Sequence, residues 1–306
     1  MIVNTLSAVL FATLLASPAP AAKPAGKTFD SAKQAADALV QAVANDDTAT
    51  MLAIFGPDGK KIVSSGDDVK DKNDRAKFEA LAKEKMDVVA DKANPHRAKL
   101  VIGADSWPFP VPLVEAGKKW RFSTKEGLRE ILYRRIGHNE LDAMQVCRGY
   151  VEAQVEYASE IRDNSGLRQY AQRILSTPGK QDGLAWWDAN GKPAGPIGDE
   201  VAKALEEGYS KRSEPYHGYY FKILKAQGPA APKGKLDYVI QGKMIGGFAL
   251  VAWPAEHRVT GVQTFLINHD GMLYEKDLGP DTAKMASAMT VYNPDKTWKK
   301  VPETED

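Results

Sequence analysis

A single cysteine, Cys147, stands in 306 residues. No intrachain disulfide can form, so the fold has to be held by packing alone. No cysteine follows the N-terminal apolar run, which excludes a lipid anchor at that point. Charge of one sign is missing as well: 41 Lys plus Arg stand against 40 Asp plus Glu, a formal net charge of +1. That balance provides no field to draw the chain to nucleic acid or to an anionic membrane. No apolar run approaches the ~20 residues of a membrane-spanning helix. Nucleophile elbows of the GxSxG type, HExxH and CxxC are all absent. Gly26-Lys27-Thr28 has the tail of a phosphate-binding loop, but Ala21 stands where the first glycine belongs and no strand precedes it. Gly191, Gly195 and Gly198 do not reproduce the dinucleotide spacing. The sequence thus points to no cofactor and no metal.

What is present begins with an address. Leu6 to Ala16 is apolar and is followed by Ser17-Pro18 and the small-x-small pattern Ala19-Pro20-Ala21, although no Lys or Arg precedes it. This predicts a signal peptide over residues 1–21, cut after Ala21 or Ala22, and a periplasmic or secreted protein of a Gram-negative type of envelope. Residues 22–27 read as a linker. Two α+β units follow, over 28–123 and 124–306.

In the first unit, Ser31 and Gln34 form a capping-box pair opening a helix with Ala36, Leu39, Val40 and Val43 inward. Asp46-Asp47 opens a second helix, stopped by Gly56-Pro57, and a third is predicted from Asp74 to Ala90. Strands are expected at Lys99–Ile102, Val111–Glu115 and Trp120–Ser123, with a hairpin turn at Gly117-Lys118. Trp107-Pro108-Phe109-Pro110 places proline at every second residue, which fits an edge strand or a polyproline-like loop. Helices followed by a small antiparallel sheet resemble the nuclear-transport-factor-2-like fold, an analogy that carries no function.

The second unit opens with a short helix over Glu126–Arg135. Gly137-His138-Asn139 is expected to break it before a long helix with the stripe Leu141, Met144, Cys147, Val151, Val155 and Ala158, running to about Ile161. That stripe makes Cys147 a core residue rather than a nucleophile. From Tyr216 onward the chain reads as antiparallel strands. Phe248–Ala252 is apolar throughout and so buried on both faces, and Asp270-Gly271 signals a type I′ hairpin. A long helix on a four- or five-stranded sheet resembles a pilin head, again as analogy.

Two groups of residues are candidates for chemistry. His217 shares strand parity with Tyr219, Phe221 and Ile223, and a two-residue turn at Asp270-Gly271 would set His269 opposite Met272. Both rings would project from strand ends, where Glu275 or Asp277 could join them in an acid–base or metal site. Histidines hydrogen-bonded at a core rim are the plainer expectation. Asp163-Asn164-Ser165-Gly166 has calcium-type oxygens but no bidentate Glu, and reads as a helix-ending turn. The second group is aromatic. Trp107, Phe109, Trp186, Trp187, Tyr216 and Tyr219 lie in or beside Pro/Gly-rich connections, the setting of binding surfaces.

Five separated blocks carry a resemblance. They are Ser106 to Pro110; Leu175 to Lys180 with Asp182-Gly183; Pro215 to Tyr219; Gly246 to Ala249 with Trp253-Pro254; and Asn268 to Gly271 through Tyr274 to Gly279. In this order they resemble the bacterial family known as domain of unknown function 2950. The resemblance implies an exported envelope protein and supplies no catalytic residue. The expectation is a binding or assembly module for another envelope protein. The alternatives are a hydrolase or metal-dependent enzyme acting on a cell-wall component, and a binder of a small molecule in a cavity of the first unit.

Overall fold

The computed structural model describes residues 26–64, 68–197 and 215–302. The expected signal peptide, residues 22–25 of the linker and the acidic end Glu303–Asp306 lie outside them. Contacts divide the chain into two units, Met1–Glu130 and Ile131–Asp306, each with its own core.

The first unit starts with α1 (Ala32–Ala44) and α2 (Thr48–Phe55). Ser31 Oγ accepts from the Gln34 amide at 3.1 Å and Gln34 Oε1 accepts from the Asp30 amide at 3.1 Å, so the capping pair works in both directions. The apolar spacing of α1 buries Ala35, Ala36, Leu39, Ala42 and Val43. Asp47 caps α2, and Gly56 ends it at φ +75°, a conformation that favours glycine. Next come α3 (Lys60–Val63) and α4 (Asp68–Glu84).

Here the structure departs from the expected third helix. It stops at Glu84, and Met86–Ala90 is a strand, β1, antiparallel to β2 (Arg97–Ile102). The adjacent β-branched Val88 and Val89 favour the pleated backbone once β2 offers a partner. The short β3 (Trp107–Pro108) pairs with β2 as an edge, and β4 (Leu113–Ala116) turns through Gly117-Lys118 into β5 (Lys119–Phe122). The sheet runs in the order β1-β2-β4-β5. Four phenylalanine rings meet in its core, with the Phe109 ring centroid 6.3 Å from Phe55, 5.4 Å from Phe78 and 6.1 Å from Phe122.

One helix, α5 (Thr124–Tyr157), replaces the two expected. It opens on Ser123, whose carbonyl accepts from the Gly127 amide and whose hydroxyl donates to Glu126 Oε1. There is no break at 137–139, because the polar residues there bond to neighbouring chain instead of ending their own helix. Asn139 Nδ2 donates to Thr260 O at 2.8 Å, and Glu140 Oε1 accepts from the Val262 and Gln263 amides at 2.8 and 3.0 Å. The buried stripe is Ala143, Cys147, Tyr150, Ala153 and Tyr157; of the expected stripe it keeps Cys147, whereas Leu141 and Val155 are 63% and 59% exposed.

Past α5 the second unit is strand-rich. It contains β6 (Trp186–Trp187), β7 (Pro193–Ala194), β8 (Tyr219–Leu224), β9 (Ala226–Gln227), β10 (Leu236–Asp237), β11 (Val239–Ile240), β12 (Lys243–Met244), β13 (Ala249–Pro254), β14 (Gln263–Asn268) and β15 (Tyr274–Asp277). The short helix α6 (Thr282–Ala288) and β16 (Lys299–Lys300) complete it. The main sheet is five-stranded, β16-β15-β14-β13-β8, and every residue of β13, which lies between β14 and β8, is buried. The helix α6 packs on β13.

The expected type I′ turn at Asp270-Gly271 is corrected. Gly271 has φ +74°, but Asp270 keeps an ordinary negative φ and its amide donates to Asn268 Oδ1. The loop is therefore longer, and the register is Leu266↔Tyr274 and Phe265↔Glu275, one residue away from that of a two-residue turn. A slip of one exchanges the two faces of a strand. Type I′ geometry appears instead at His217-Gly218 and Gln241-Gly242, where both central residues have positive φ and the flanking residues pair.

Candidate functional site

The turn at His217-Gly218 is built against the middle of α5. A Cβ on Gly218 would stand 2.8 Å from both Asn139 Nδ2 and Thr260 Cβ, so glycine is required by space as well as by its φ of +75°. This close approach brings His217 to Asp142, with Nδ1 2.6 Å from Oδ2. An ionised carboxylate only accepts, so the Nδ1 proton lies between them and Nε2 is the nitrogen that remains. His138, one turn before Asp142, has Nε2 3.4 Å from the same oxygen. The His138 and His217 rings lie 6.4 Å apart at 25°, and Tyr216 stacks on His217 at 4.2 Å. One carboxylate thus orients two imidazoles. A histidine held this way can accept a proton; among the described residues, however, His217 bonds only to Asp142.

His269 is elsewhere. On β13, Pro254 pairs with Tyr219, while Ala249 at the other end pairs with Asn268. His217 and His269 therefore adjoin opposite ends of a six-residue strand, about 17 Å long at the usual rise. The proposed His217–His269 constellation is not assembled, and the sheet register is the reason. His269 lies edge-on to Tyr238 and Phe248, with a buried Nδ1 that has no hydrogen-bond partner among the described residues and Nε2 3.8 Å from Asp270. Glu275 pairs across the sheet with Phe265 and Lys299. Asp277 is held by His257, whose Nε2 is 2.8 Å away. Burial would raise the Asp277 pKa, but the Gly279 amide and His257 outweigh it and hold the carboxyl below its ordinary value. The His257–Asp277 pair, 20 residues apart, left no mark in the sequence, since only the register of β14 on β15 brings it together.

His96 also faces a carboxylate, with Nδ1 2.6 Å from Glu115 Oε2. All five histidines of the sequence therefore have an acidic neighbour. Among the described residues no group of three or more His, Cys, Asp or Glu is placed to hold a metal ion. The Asp163 carboxylate is taken by Lys243, Ser165 and Gln169, which hold its pKa well below the carboxylate range. Burial pushes the Cys147 thiol up to about 12.

The aromatic candidates divide. Phe109 lies in the phenylalanine core of the first unit, and Tyr219 is buried in the second with its hydroxyl donating to Gln263 O at 2.9 Å. Neither is a surface contact. Trp107 is exposed on the edge strand β3. Tyr216 is half-buried against His217. Trp186 lies under the Arg162 guanidinium, 5.2 Å from its ring centroid, and its neighbour Trp187 is 45% exposed.

Five exposed apolar side chains stand on segments joined to that stack. Ile161, Leu167, Trp187, Ile240 and Ile245 are each 40% exposed or more. Their segments are joined by the Arg162–Trp186 contact, the Lys243–Asp163 ion pair, a bond from the Tyr170 amide to Met244 O at 2.8 Å, and one from Gln172 Nε2 to Gly242 O at 2.8 Å. In the first unit, a pocket of about 340 Å³ opens beside the start of α5. No described helix is long and apolar enough to cross a membrane.

No curated protein and no solved structure matches the chain. A family model does match, over residues 26–301, and its description is "Protein of unknown function (DUF2950)". That span takes in both units and nearly every residue described above, and the chain belongs to this family.

Proposed function

We propose that the protein is exported to the cell envelope and works there by binding another envelope protein through the second unit. The observation that carries this reading is the gathering of exposed Ile161, Leu167, Trp187, Ile240 and Ile245 on segments bonded to one another. Single exposed apolar side chains are ordinary, whereas several on adjoining loops mark a contact surface. Trp187 beside the Arg162–Trp186 stack has the aromatic and arginine character of interface anchors.

In-cell crosslinking of the tagged chain, followed by mass spectrometry, tests the reading. A partner should co-purify with the wild type and be lost with Trp187→Ala combined with Ile240→Ser. Both positions are exposed, so the variants should keep the wild-type melting temperature. Recovery of the same proteins with and without the two substitutions would overturn the surface. Cell fractionation checks the address: the exported form should begin at Ala22 or Lys23 and be found outside the cytoplasm.

A further inference from the structure

We propose that the first unit binds a small dianion, bearing a phosphate or paired carboxylates, in the pocket beside the start of α5. Its volume of about 340 Å³ suits a small molecule. Phe55 and Phe122, with ring centroids 5.4 Å apart in an edge contact, line it together with Arg121, Lys125 and Arg129. Arg121 comes from β5, and Lys125 and Arg129 are successive turns of one side of α5.

The acceptors that could satisfy these cations are already engaged. Glu126 accepts from Arg97 Nη2 at 2.5 Å and from Ser123 Oγ at 2.7 Å, and Arg97 is not a pocket residue. The Phe55 carbonyl accepts from Thr124 Oγ1 at 2.6 Å. Among the described residues none of Arg121, Lys125 and Arg129 lies in an ion pair. In the lining, Arg121, Lys125 and Arg129 stand against Asp58 and Glu126, an excess of one positive charge in one concave site, and Arg97, bonded to Glu126 from outside the pocket, adds a second. Two arginines offer the planar forks that bind phosphate or carboxylate in pairs of bonds. The first turn of α5 adds to this field, since the Gly127 amide is the first to bond within the helix.

This site uses no residue of the partner surface, so either proposal can fail alone. The test is an NMR titration of the full exported chain with inorganic phosphate, and in parallel with succinate, at constant ionic strength set by sodium chloride. Saturable shifts are expected at the Lys125 and Glu126 amides and the Arg121 Nε signal. The Arg121→Gln, Arg129→Gln variant should bind roughly tenfold more weakly or worse, as loss of charge-assisted bonds implies. Lys33→Gln, which removes an α1 cation paired with Asp37 outside the pocket, should bind as wild type. Saturation by phosphate alone assigns a phosphate ligand, and saturation by succinate alone a dicarboxylate. Linear shifts with both probes, or equal affinity in the double variant, would overturn the proposal. An unchanged melting temperature in the variant shows that loss of binding is not loss of fold.

Discussion

The two units bury their sheets differently. In β2, Ala98, Leu100 and Ile102 are buried while the residues between them are half-buried or exposed, so one face meets the helices and the other meets water. In β13, all six residues from Ala249 to Pro254 are buried. An alternating strand states in its own sequence which face is wet. A continuously apolar strand states only that both sides are covered and is silent on what covers them. That difference decides where the molecule tolerates change.

The largest effect is expected where the contrast is sharpest. Leu250→Lys and Val251→Lys point to opposite faces of β13, and both should abolish cooperative unfolding of the second unit in urea, because a charge would be buried without a partner. In β2, Leu100→Lys should do the same to the first unit, while Lys99→Glu, at an exposed position, should shift the midpoint little. If either β13 variant kept its transition, the strand would have an open face and the contrast would disappear. The milder Leu250→Ala and Leu100→Ala should each cost about 2–5 kcal/mol.

Glycines give a smaller effect with opposite signs. A Cβ on Gly261 would lie 2.2 Å from Tyr219 Oη, so Gly261→Ala should destabilise by roughly 1–3 kcal/mol. A Cβ on Gly137, within α5, meets nothing within 4 Å, and Gly137→Ala should stabilise by about 0.5–1 kcal/mol. Thermal melts of the two variants decide the matter. A destabilised Gly137→Ala would mean that the helix does break at 137.

The smallest effect concerns acid. Glu126 in the first unit is held below its ordinary pKa chiefly by the Arg97 bond. In the second unit, the lowering of Asp277 survives the opposing pull of burial. Both folded pKa values lie below the unfolded ones, about 4.3 for Glu and 3.9 for Asp. Their stabilisation is therefore complete above roughly pH 5 and is lost as pH falls through the folded values. Glu126→Gln should flatten the acid limb of the first unit, and Asp277→Asn that of the second, in urea midpoints taken between pH 6 and 3.

Much of the first unit was legible because its signals are local. Ser31 with Gln34, Asp47, Gly56-Pro57 and Gly117-Lys118 each act within four residues, and each does in the structure what its chemistry predicts. The strand at Met86–Ala90 was not, because its helix-like apolar spacing yields to pairing with β2. In the second unit the burial of β13 and the core place of Cys147 were legible. The continuity of α5 was not, since Asn139 carries turn chemistry but uses it on Thr260, 121 positions away. The candidate site suffered most. Asp142 reaches His217 across 75 positions, and a single residue of register around Asp270 decides which side chains face each other. Phe109 and Tyr219 sit beside Pro/Gly-rich segments yet turn inward, because proximity to a loop says nothing about which way a ring points.

The lone thiol has a consequence for reactivity. Cys147 is fully buried and protonated at any physiological pH. A folded copy therefore offers nothing to a disulfide-forming enzyme or to a second chain, while a copy whose second unit has opened offers one reactive sulfur. In a solution of oxidised glutathione that sulfur would form mixed disulfides in opened molecules and leave native ones unmarked. In the laboratory, the same property turns the rate of alkylation into a count of how often the core of the second unit opens.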